Sequence, residues 1–169
     1  MGIDPKISRA TRDLFEVAVK GELEKIPSLA DSLSEEDRAQ CLQLSVLTTG
    51  HLAIAIVKNR WPTDDGLRRI AQNLANAKLR VTLDEDDVYT FLARVVFGFE
   101  HIERVFPDLG KAFMLTVLVS ANLLLVCCPE DTTMWRYMDQ IEDAVEATSE
   151  LPAHAIPSVV YRSRVPSED

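Results

Sequence analysis

The chain has 169 residues, 47% of them hydrophobic, only six glycines and a formal net charge of −9. This fits one domain that buries about two-thirds of its unfolded surface without disulfide or metal staples, and the charge argues against general phosphate-driven nucleic-acid binding. Three cysteines, two of them adjacent at Cys127 and Cys128, exclude a disulfide framework; residues 1–12 lack the apolar core of a signal peptide, so the cytoplasm is the expected location.

Ile7, Ala10, Leu14, Val17 and Ala18 recur at three- and four-residue steps and predict an amphipathic helix over residues 5–20. Gly21 and Pro27 punctuate the next stretch, leaving Leu23, Ile26, Leu29 and Leu33 on a short second segment broken near the proline. Ser34 followed by Asp37 is a helix-start signature, and Ala39, Leu42, Val46, Ala53 and Val57 carry that helix to about residue 59, with a bend expected at Gly50. Trp61-Pro62 ends it. Thr63-Asp64-Asp65 opens a helix that buries Leu67, Ile70, Ala71, Leu74 and the stem of Lys78 and turns a basic side outward.

Thr82 and Glu85 have capping-box spacing and predict one helix over residues 84–105. Residues 112–128 then run for seventeen positions without a charge, the pattern of a helix enclosed on all sides. That run is short for a membrane span, is interrupted by Thr116, Ser120 and Asn122, and has no one-sided excess of lysine and arginine, so no membrane association is expected. After Pro129, Glu130-Asp131-Thr132 starts a last helix that presents Trp135, Met138, Ile141, Val145 and Thr148. Pro152, Pro157 and Pro166 exclude a helix beyond it, and residues 158–165 are expected to be extended or to form a short strand. The predicted architecture is an all-α, single-domain bundle of six to seven helices around a central apolar helix, over residues 1–149, with an extended proline-rich tail over residues 150–169.

Candidate contact surfaces arise from two imbalances. The helix from residue 84 carries Val88, Tyr89, Phe91, Leu92, Val95, Val96, Phe97, Phe99 and Ile102, an apolar arc wider than one core face requires. A second subunit is the expected cover, which predicts a homodimer with Tyr89 and Phe97 at its interface; heavier packing within the chain is the alternative. Residues 58–80 hold Lys58, Arg60, Arg68, Arg69, Lys78 and Arg80 against only Asp64 and Asp65. Arg68 and Arg69 are the expected contacts to an acidic protein partner. Leu67-Arg68-Arg69-Ile70-Ala71 has the cadence of the first helix of a helix-turn-helix, but the next helix would bring Asp84-Glu85-Asp86-Asp87 to the phosphates, so nucleic-acid binding is not expected.

Candidate chemistry is sparse. Asn122 lies among Leu118, Leu123, Leu125 and Val126 and needs a partner once buried. It serves either to fix helix register or to line an apolar ligand pocket with Thr116 and Ser120, with His51 or Cys127 in the wall. Gly50-His51-Leu52 resembles the histidine segment of bundle metalloenzymes of the DNA-damage-inducible type, but the paired downstream histidines of that family are missing. His101 and His154 have no ligand spacing to His51, so no metal and no cofactor is expected. Glu100, His101 and Glu103 lack the Glu-x-x-His pattern of carboxylate-bridged iron bundles and read as a solvated face with Arg94 and Arg104. The acidic run Asp84-Glu85-Asp86-Asp87 reads as helix-start charge rather than a magnesium motif.

The leading expectation is a non-enzymatic cytoplasmic adaptor or regulatory domain. The alternative is a ligand-binding or small enzyme bundle with an internal apolar pocket, and a nucleic-acid regulator comes third. The adaptor reading predicts a packed core, whereas the ligand reading predicts a cavity of about 300 Å³ or more.

Overall fold

A computed structural model of the chain describes residues 2–149. Among them are eight α-helices and one π-helical turn, and no strand. The helices are α1 (Pro5–Val19), α2 (Lys25–Asp31), α3 (Glu35–Ile56), α4 (Asp64–Asn76), α5 (Glu85–Thr90), α6 (Ile102–Val105), α7 (Leu109–Cys127) and α8 (Met134–Ser149); the π turn, Phe91–Val96, continues α5 directly. The expectations for the proline-rich tail, residues 150–169, and for the Thr148 side chain lie outside the described residues.

Side-chain caps set most of the starts. Asp4, Ser34, Thr63, Asp84 and Asp108 accept from Lys6 N, Asp37 N, Gly66 N, Asp87 N and Lys111 N, and Thr133 Oγ1 accepts from Arg136 N at 3.2 Å. Each satisfies one of the unpaired donors of a first turn. The cap of α5 is therefore Asp84, not Thr82. Its neighbours Glu85, Asp86 and Asp87 fill the first turn, where acidic side chains are favoured by the helix dipole.

Other sequence expectations are corrected as well. Pro27 does not break α2, because it lies in the first turn, where a missing N–H costs no helical bond. The helix α3 runs without interruption through Gly50. Lys78 lies beyond the end of α4 and is exposed, so its stem adds nothing to the buried side.

The ends are closed by the backbone. Gly21, at φ 74°, ends α1 with Gly21 N donating to Ala18 O and Glu22 N to Val17 O, the paired bonds of a Schellman cap. The same pair ends α3, from Lys58 N to Ala55 O and from Asn59 N to Ile54 O, but there the left-handed residues are Lys58 (φ 60°) and Asn59 (φ 62°). A side chain at Lys58 carries a steric cost that glycine avoids. Lys58→Gly is expected to raise stability by about 0.5–1 kcal/mol, read as a higher urea midpoint. A lowered midpoint would contradict this cap.

The helix α7 is the centre. It packs most extensively on α3 and α1 and also touches α2, α5, α6 and α8. Residues 116–124 are all buried, as an all-round apolar pattern requires. Both α3 and α7 are long and apolar enough to cross a membrane, and just over half of each apolar window is enclosed by the bundle. Around this pair, α8 runs antiparallel to α1: Ile3 N donates to Glu146 at 2.8 Å, and Arg12 pairs with Glu142 at 3.0 Å and Asp139 at 2.7 Å.

The helix predicted over residues 84–105 is three pieces. In the π turn the backbone bonds shift by one residue, as in Phe97 N to Leu92 O at 3.0 Å, which widens the apolar arc. The chain then breaks at Gly98 and Phe99, the latter at φ 55°, before α6 begins.

Candidate functional site

Four helix ends meet at one side of the bundle and leave a groove of about 430 Å³. Ala55 and Ile56 come from the last turn of α3, Leu123, Val126 and Cys127 from the end of α7, Ile70, Asn73 and Leu74 from α4, and Tyr137 from the start of α8. The groove exists because α3 stops at its left-handed cap and α7 stops before Pro129, so neither helix covers the space beyond. It is open along one side. Ile56 and Val126 stand at 42% and 54% exposure, with Leu125 half exposed beside them.

The groove is built for apolar contact. Its polar groups are one amide, Asn73, one phenol, Tyr137, and one thiol, Cys127. Burial pushes the Cys127 thiol up to about 11, so at neutral pH it is a protonated, weakly nucleophilic group. Burial also raises the Tyr137 phenol, helped by the neighbouring thiols of Cys127 and Cys128. Neither group is poised for acid–base or nucleophilic work near pH 7.

Of the pocket residues expected from the sequence, Cys127 is in this wall, while Asn122, Thr116, Ser120 and His51 are not among the lining residues. They lie buried in α3 and α7. Thr116 Oγ1 donates to Ala112 O at 2.8 Å, and Asn122 Nδ2 donates to Leu118 O, also at 2.8 Å. Ser120 Oγ lies 2.7 Å from Thr116 O, 3.0 Å from Ser45 O and 2.7 Å from Thr49 Oγ1. Thr49 Oγ1 in turn reaches Ser45 O at 2.9 Å, and Ser45 Oγ reaches Cys41 O at 2.8 Å. Ser45, Thr49, Thr116 and Ser120 form a polar seam between the two central helices, with its hydrogen bonds made internally.

Three of the four expected interface residues, Tyr89, Phe97 and Arg68, make contacts within the chain. Phe97 is 8% exposed and meets Trp61 edge-on, at 5.3 Å between ring centroids. Val88, Phe91, Leu92, Val95 and Val96 are buried as well, whereas Phe99 in the same arc is 43% exposed. Arg68 stacks over the Tyr89 ring at 4.0 Å from its centroid and sits 3.7 Å from Asp64, to which Tyr89 donates its hydroxyl proton. The three side chains tie α4 to α5. Arg69 remains on the exposed outer side of α4.

Among the described residues no group of three or more histidine, cysteine, aspartate or glutamate side chains is arranged to hold a metal ion. His51 is buried in α3, His101 is exposed 3.7 Å from Glu103, and His154 lies outside the described residues. Glu100 pairs with Arg94 through both carboxylate oxygens, at 2.7 and 2.8 Å, and this holds its carboxyl below the usual range. It is the solvated ion pair expected of that face.

The groove was missed in the sequence, although one signal for it was present: Leu125-Val126-Cys127 closes an apolar helix immediately before a proline. No family model, curated protein or solved structure matches the chain.

Proposed function

We propose that the chain is a non-enzymatic, cytoplasmic helical interaction domain that docks an apolar segment of a protein partner into the groove between the ends of α3, α4, α7 and α8. The observation that carries this reading is the exposed rim. Ile56 and Val126 project apolar surface into solvent at the mouth of an apolar recess, the arrangement by which helical grooves receive apolar anchors from a partner. The groove's own groups are held neutral, which suits binding rather than reaction. The three cysteines are free thiols, in keeping with a reducing compartment.

Volume favours a second reading. At about 430 Å³ the recess falls in the range of small-molecule sites and exceeds what an adaptor with a fully packed core predicts. The groove's open side and protruding rim favour a protein segment instead. Native mass spectrometry of protein purified from its own host separates the two, because a retained small molecule adds a small mass to the chain, whereas a docked protein partner appears as a far heavier complex.

Val126→Asp tests the groove itself. A charge at the rim should weaken binding of the apolar dye anilinonaphthalene sulfonate by about tenfold or more, through the cost of desolvating a carboxylate. Val126 is more than half exposed, so the fold should tolerate the change. Equal dye affinity in both proteins would mean that the groove is not the binding surface.

A further inference from the structure

The groove lies at one end of α8 and the chain leaves the other. Because α8 runs antiparallel to α1, its last turn lies beside the start of the chain, where Glu146 holds Ile3 N. Tyr137, in the groove wall, is twelve residues before Ser149, about 18 Å back along the helix. From Ser149 to Val159 there are ten residues, which span about 31 Å at the rise of a proline-rich extended chain. The segment Val159-Val160-Tyr161 is therefore within reach of the groove, with length to spare for the turn.

Charge points the same way. Residues 151–166 carry Arg162 and Arg164 and no acidic residue. Along α8, whose start lines the groove, Arg136 stands against Asp139, Glu142, Asp143 and Glu146, of which Asp139 and Glu142 already pair with Arg12 and Glu146 with Ile3 N. Just past the groove, beyond Cys127, Glu130 and Asp131 are exposed. An occupant with arginines one and three residues after its apolar segment, as Arg162 and Arg164 follow Val159-Val160-Tyr161 in sequence, complements such an acidic pair.

We propose that Val159-Val160-Tyr161 occupies the groove of its own chain, so that the C-terminal segment acts as a built-in competitor which an outside partner must displace. This rests on the groove being a docking surface. The tether sets the strength of the competition. An effective concentration on the order of 1 mM against a segment affinity on the order of 0.1 mM leaves the groove covered about nine-tenths of the time.

The test uses the full chain and its own thiols. Alkylation by iodoacetamide is followed at each cysteine in the native protein and in the triple variant Val159→Asp, Val160→Asp, Tyr161→Asp. Cys127 should react about tenfold faster in the variant, by the same occupancy, while Cys41, buried in the core, stays protected in both and reports an intact fold. Equal rates at Cys127 with Cys41 protected would overturn the proposal, and dye binding that still depends on Val126 would leave the groove reading standing. A native Cys127 rate that falls as protein concentration rises would also overturn it, by assigning the groove to the tail of a second copy. Should Cys41 become reactive in the variant, a second protein decides. Val160→Cys combined with Cys128→Ser, mildly oxidised, should form a disulfide between Cys127 and the introduced thiol within one chain, and no such link overturns the proposal.

Discussion

Ser120→Leu should lower the stability of the fold by about 3 kcal/mol, whereas Ser120→Ala should cost only about 1 kcal/mol. The difference isolates what the serine is for. Its side chain is fully buried where α7 crosses α3, with Oγ 2.7 Å from Thr49 Oγ1 and 3.0 Å from Ser45 O. Alanine keeps the close approach of the two helices and loses one hydroxyl. The remaining groups still have partners, since Thr49 Oγ1 reaches Ser45 O and Thr116 O accepts its helical bond, so the loss stays near the value of one net hydrogen bond. Leucine must push the helices apart or adopt a strained rotamer, and the core around Leu123, Leu124 and Leu52 moves with it. Urea denaturation of both variants gives the comparison. Equal costs would mean that hydrogen bonding, not close approach, determines the residue.

Gly98→Ala should cost about 3 kcal/mol, at the upper end of what overpacking produces. A Cβ there would lie 2.6 Å from Arg94 O, 2.7 Å from Ala93 O and 2.9 Å from Arg94 Cα. All three are backbone atoms, so no flexible side chain can yield. They belong to the π turn, whose end is fixed by Phe97 N on Leu92 O and Glu100 N on Arg94 O. Relief would require opening the turn and shifting Phe91 and Leu92 out of the core, where both are fully buried. Gly110→Ala is the control, because the nearest contact of its Cβ is Asp108 Oδ1 at 3.4 Å. In the first turn of α7 it should be neutral or stabilising by about 0.5 kcal/mol. The pair is measured by thermal unfolding, and a tolerated Gly98→Ala would contradict the geometry of the π turn.

Helix starts were legible where a local cap decides them. Ser34 and Thr63 are read directly from their neighbours, and the structure uses both. Pro27 and Thr82 misled because a first-turn proline and a nearer aspartate obey the same rules one or two positions away. The π turn showed in the apolar pattern only as the over-wide arc, which reads equally as a surface for a second subunit, since one inserted residue broadens the arc without interrupting it. Gly98 was its only local mark.

The central seam was half visible. Asn122, Thr116 and Ser120 stood out as polar residues in an apolar run, but the partners of Ser120 on α3, Ser45 and Thr49, did not. A matched spacing was available: Cys41, Ser45 and Thr49 on one helix and Ala112, Thr116 and Ser120 on the other, each at four-residue steps, place small side chains along one stripe of each helix. The groove was less legible still. Its walls come from four helices, with lining residues from Ala55 to Tyr137, and a helix apolar on all sides does not reveal which end will be left uncovered.

The most direct measurement of the groove's role is an isoleucine-methyl NMR titration of the full chain with anilinonaphthalene sulfonate. The methyls of Ile56 at the rim and Ile70 in the wall should shift together along one saturation curve, with Ile7, Ile26 and Ile141 elsewhere in the core unmoved. Saturating shifts centred on Ile102, beside the π turn, or spread across the core isoleucines, would place the binding surface elsewhere and contradict the docking role of the groove.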